Sequence, residues 1–147
     1  MLETEPQIDA DGNRCMQINQ IAEKIIGCAY TVSNTLGAGF LEKVYEKALV
    51  YELKKQGLEV FQQHAIQVYY DGNVVGDYIA DLLVEGVILV ELKSVTALDD
   101  VHVAQCLNYL KATGIHICLL INFGNPKITV RRIIHNLHVD DEQHVYE

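Results

Sequence analysis

The chain has 147 residues, half of them hydrophobic, with 20 acidic against 11 basic side chains and a formal net charge of −9. That length suits one domain with a sizeable core, and the acidic balance argues against a broad, sequence-independent grip on nucleic acid, which needs an excess of Lys and Arg. No apolar run reaches the roughly 18 residues needed to cross a membrane, and Cys15, Cys28, Cys106 and Cys118 are too scattered for a zinc knuckle or a disulfide framework, so a zinc or redox protein is disfavoured.

Residues 1–16 are acidic and polar and lack the basic and apolar regions of a signal peptide. They read as a flexible leader on a cytoplasmic chain. From Gln17, the apolar residues Ile18, Ile21, Ile25, Ala29 and Val32 recur at helical spacing until Gly37 and Gly39. A second helix is expected from about 40 to 56, with Leu41, Val44, Tyr45, Ala48, Leu49 and Leu53 as its inner stripe and Gly57 as its stop. Strands follow at 58–70, 74–84 and 87–95, separated by "DGN" at 71–73 and a turn at Glu85-Gly86. The second and third strands are apolar on both faces, which places them at the centre of a covered sheet. Thr96 is the expected cap of a helix to about Ala112, with Asp99 as its acidic partner. Strands at 116–123 and 127–134 follow, and an acidic tail, 135–147, is expected to be loose. The order is α-α-β-β-β-α-β-β, an α/β (α+β) domain over 17–134 with a mixed central sheet flanked by helices.

Within the apolar strands three charges stand out: Asp81, Glu91 and Lys93. Charges in such surroundings are costly unless paired. Glu91 and Lys93 are two apart on one strand and share a face. Whether Asp81 joins them depends on the turn. A two-residue loop at 85 and 86 sets Asp81 against Val90 and points it away, whereas a three-residue loop or a local distortion sets it beside Glu91. Because both strands are apolar throughout, parity alone leaves both open. Adjacent carboxylates repel unless a cation lies between them, and oxygen donors suit Mg²⁺ or Mn²⁺. The plainer alternative is an ion pair of Lys93 with either acid. Glu42 lies at the edge of the second helix's apolar stripe, and Gln105 and Tyr109 are four apart on the third helix, with His102 on the same face.

Asp81, nine residues, then Glu91-Leu92-Lys93 resembles the PD-(D/E)XK nuclease signature, with Ala80 where the usual Pro would stand. Gln105-Cys106-Leu107-Asn108-Tyr109 resembles the QxxxY motif of the RecB-type branch, and Gly39, Glu42 and Tyr45 spell G-x-x-E-x-x-Y, as in a family of small bacterial and archaeal proteins of that superfamily. The resemblance covers about residues 17–134. It implies a restriction-endonuclease-like core and a metal-dependent nuclease, with DNA as substrate. It further implies that Asp81, Glu91 and the backbone of Leu92 ligate Mg²⁺ or Mn²⁺, with Glu42 a ligand directly or through water. Lys93 would be the catalytic lysine, and Gln105 and Tyr109 would orient water or substrate. Arg131, Arg132 and Lys127 are candidates for backbone contacts, or else a solvated edge. A small core of this kind calls for a second copy or a partner protein to reach duplex DNA. The competing class is a binding or assembly module that keeps the fold without the activity.

Overall fold

The computed structural model describes residues 7–8, 14–15, 17–135 and 143–146. Two short antiparallel strands, β1 (Gln7–Ile8) and β2 (Arg14–Cys15), precede the main body. The body contains α1 (Ile18–Leu36), α2 (Glu42–Lys55), β3 (Val60–Tyr70), β4 (Asn73–Val84), β5 (Ile88–Lys93), α3 (Asp100–Thr113), β6 (Ile117–Asn122) and β7 (Thr129–His135), the expected order. A further strand, β8 (Gln143–Tyr146), pairs antiparallel with β7. The rest of the leader and of the tail lies outside the described residues. No helix among the described residues is long and apolar enough to cross a membrane.

One mixed sheet runs in the order β3-β4-β5-β6-β7-β8, parallel only between β5 and β6. The α3 crossover supplies the length that a parallel pair requires. Side chains of β5 divide between two cores. Ile88, Val90 and Leu92 pack with α1 and α2, whereas Leu89 packs with α3. Each fully buried Leu or Ile in these layers contributes about 1.5–3 kcal/mol.

Two expectations at helix starts are corrected. Leu41 and Val44 are exposed, and the buried face of α2 is Tyr45, Glu46, Leu49, Val50 and Leu53. Leu41 is the extended residue before the helix, so the stripe begins one turn later. Likewise α3 is capped by Asp99 rather than Thr96. The Asp99 carboxylate accepts from the amides of Val101 (2.9 Å) and His102 (3.4 Å), two donors that the start of a helix leaves without internal partners. His102 closes the reciprocal bond, its Nδ1 accepting from the Asp99 amide, and so belongs to the cap.

Candidate active site

The β4–β5 turn decides the geometry of the acids. Glu85 and Gly86 both have positive φ, 52° and 68°, as tight hairpin turns demand. The Val87 amide bonds to the Val84 carbonyl, and pairing resumes at Val84 with Ile88. Val87 is therefore a third loop residue. The register Leu82 with Val90 carries Asp81 opposite Glu91.

Backbone pairing stops there, and the carboxylates continue it. The Asp81 amide donates to Glu91 Oε1 at 2.9 Å, and the Leu92 amide donates to Asp81 Oδ2 at 2.8 Å. A local distortion accompanies this exchange. Gln63, which the register sets against Asp81, has φ 54°. Ala80 packs with the α3 layer while Leu82, two residues on, packs with the α1–α2 layer. Regular β-strand would place both on one face, so β4 turns over at Asp81.

Glu91 is 3% exposed. Burial first, and the Asp81 charge second, push its pKa up to about 8. Burial likewise raises Asp81, which is half-buried, and the charges of Glu46 and Glu42 add to the rise. Lys93 lowers both. The salt bridges among the described residues are Lys43–Glu46, Lys55–Glu52 and His102–Asp99, so Lys93 is not closed onto either acid. The ion-pair alternative is thus not the arrangement found.

Glu42 is exposed as the first residue of α2, and both acids feel its charge. No three Asp, Glu, His or Cys side chains among the described residues cluster closely enough to hold a metal by themselves. Two carboxylates of raised proton affinity, which also feel the charge of Glu42, nevertheless fit a hard divalent cation that takes its remaining ligands from backbone and water.

Tyr45 builds the loop that presents Glu42. Its hydroxyl donates to the Gly37 carbonyl at 2.6 Å and accepts from the Phe40 amide at 3.1 Å, while its ring stacks on Phe123 at 4.6 Å. Ser94, next to Lys93, donates to the Phe40 carbonyl and ties this loop to the end of β5. Tyr45→Phe is expected to cost about 1–3 kcal/mol by stranding these backbone groups, measured as a lower denaturant midpoint with an unchanged slope.

Asn122 holds the segment after Lys93. It exchanges two hydrogen bonds with the Val95 backbone, at 3.0 and 2.9 Å, and also accepts from the Gly124 amide. A Cβ on Gly124 would fall 2.0 Å from the Val95 carbonyl oxygen. Gly124→Ala is therefore expected to destabilise by about 1–3 kcal/mol or more, read in the same denaturant titration.

On α3, the Gln105 amide donates to the Tyr109 hydroxyl at 2.9 Å. Burial, then the charge of Glu91, pushes the Tyr109 pKa up to about 12, so α3 brings this phenol to the acids. Arg132 donates to Asn19 in α1 from β7, with β6 between it and β5. Cys28, Cys106 and Cys118 are free and buried.

Glu46 went unread in the sequence. It is 4% exposed and bonded to Gln62 (3.0 Å), Gln63 (2.9 Å) and Lys43 (3.3 Å). The signal was its place one turn after Glu42 and flanking Tyr45 and Leu49, inside a buried stripe of ordinary width.

Comparison with protein families matches residues 19–133 to the model of the PD-(D/E)XK nuclease superfamily. Comparison with curated proteins and with solved structures gave no match.

Proposed function

The chain belongs to the PD-(D/E)XK nuclease superfamily, and on that premise we propose that it is a metal-dependent deoxyribonuclease of the GxxExxY, QxxxY-bearing branch. Nucleases of the superfamily generally use divalent metals such as Mg²⁺. The observation that carries the proposal is the meeting of Asp81 and Glu91 across β4 and β5, each accepting a backbone amide of the other strand, with Lys93 beside them and unpaired with either.

Asp81, Glu91 and the Leu92 carbonyl would hold Mg²⁺ or Mn²⁺, and Glu42 would reach it through water. When bound, the ion supplies charge that makes a water more acidic and offsets that of a phosphodiester. Lys93 stabilises the negative charge that grows on phosphorus oxygens during in-line displacement. The Tyr109 hydroxyl accepts from Gln105, which leaves its own proton to donate. At neutral pH it keeps that proton, and so orients water or phosphate as a neutral donor. Gly39 and Tyr45 act through the loop that sets Glu42.

The test is cleavage of plasmid, linear duplex and single-stranded DNA with Mg²⁺ and with Mn²⁺, Lys93→Ala alongside. Cleavage by the parent that the variant lacks is expected. Equal cleavage by both, or none by the parent in any arm, rejects the assignment and favours a non-catalytic module.

A further inference from the structure

A groove of about 720 Å³ lies between α3 and the β3–β4 hairpin, within the range of small-molecule sites. Its walls include Tyr69 and Tyr78 from the hairpin and Gln105, Asn108, Tyr109 and Lys111 from the helix. Gln105 and Tyr109 belong also to the acidic site, since Glu91 and Asp81 both act on the Tyr109 phenol. The groove therefore opens on the place where a scissile phosphate would lie.

Its chemistry is not that of a phosphate track. No carboxylate lines it, and Lys111 is the one charged side chain among its described lining residues. The rest is aromatic, apolar or amide, which suits the flat face and polar edge of a nucleobase. The rings are held for such contact. Tyr69 is 61% exposed and Tyr78 51% exposed, the latter with its ring tilted against that of Tyr109 at 5.9 Å. Tyr69 donates through its hydroxyl to Gln67 at 2.8 Å. Val68 and Tyr69 both line the groove, and between them the pairing with β4 shifts by one residue, the extra one being Val75 of β4. A Cβ at Gly76 would lie 3.1 Å from the edge of the Tyr78 ring, so glycine there lets that ring lie close over the strand.

We propose that this groove is a stacking subsite for an unpaired base of single-stranded nucleic acid, placed next to the scissile phosphate. A duplex keeps its base faces covered, whereas an unpaired base offers a face to aromatic side chains whatever its identity. The proposal takes from the nuclease reading only the direction in which the strand continues.

The test is fluorescence anisotropy with a labelled oligothymidylate and with a duplex of equal length, in Mg²⁺, on the Lys93→Ala background. Tyr69→Ala and Tyr78→Ala are each expected to weaken oligothymidylate binding roughly tenfold, with Tyr→Phe at either position retaining it and duplex binding unmoved. Both rings are exposed, so loss through unfolding is checked by an unchanged melting curve. Unchanged single-strand affinity, an equal loss on the duplex, or no oligothymidylate binding by the Lys93→Ala chain overturns the subsite. Tyrosine-dependent binding by a chain that cleaves nothing supports the subsite and rejects the nuclease. Cleavage indifferent to both tyrosines does the reverse.

Discussion

Lys93→Ala is expected to lower the cleavage rate by about 100- to 1000-fold, the scale of losing one group that stabilises transition-state charge. The fold should survive. Lys93 is half-buried at the end of β5 and closes no ion pair with Asp81 or Glu91, so its removal strands no partner. It does withdraw the positive charge that lowers the proton affinity of both acids. Binding of a divalent cation should then hold steady or tighten, because a competing charge has gone. Calorimetric titration with Mn²⁺ separates the cases. Lost cleavage with retained binding assigns the lysine to the reacting phosphate, whereas lost cleavage with lost binding would place it in the support of the metal site.

A second large effect concerns pH. With Glu91 at about 8 in the folded metal-free chain, against an ordinary value of 4.5, the folded state holds a proton that the unfolded chain releases between those values. Stability must therefore fall as pH rises through that window, by up to about 3–5 kcal/mol. Glu91→Gln, which copies the neutral acid, is expected to match the parent at pH 5 and exceed it at pH 8 in the presence of a chelator. Adding Mg²⁺ should lift the parent at pH 8 and leave the variant where it was. Urea titrations at the two pH values check this, and parent and variant falling in parallel would refute it.

The order of elements was readable because spacing and punctuation agreed along most of the chain. The encounter of the acids was not. Hydrophobic patterning usually sets register, since a one-residue slip moves core residues to solvent. Here β4 from Leu82 and β5 up to Leu92 are buried on both faces, so either parity satisfied the pattern. The deciding facts were the extra residue Val87 and the distortion opposite Gln63, neither of which announces itself by residue type. Glu46 was hidden for a related reason. A buried Glu is recognisable only once its partners are known, and Gln62 and Gln63 come from a separate element. Tyr45 was read as core, correctly, but its hydroxyl's work on residues 37 and 40 required the loop to be seen. Asp99 displaced Thr96 at the start of α3 because both residues match a capping pattern, and only coordinates show which side chain reaches the free amides.

The hairpin end at Glu85-Gly86-Val87 touches no substrate in any scheme described above, yet it acts as a counter. Exchanging its side chains leaves the count alone. Removing one residue, or adding one, changes odd to even and sends Asp81 to the far layer while residues 82–84 and the apolar residues of 88–92 still find oil on both sides. The turn still asks for residues that tolerate positive φ at 85 and 86, but it is an insertion or deletion of a single codon there that would disarm the molecule without unfolding it.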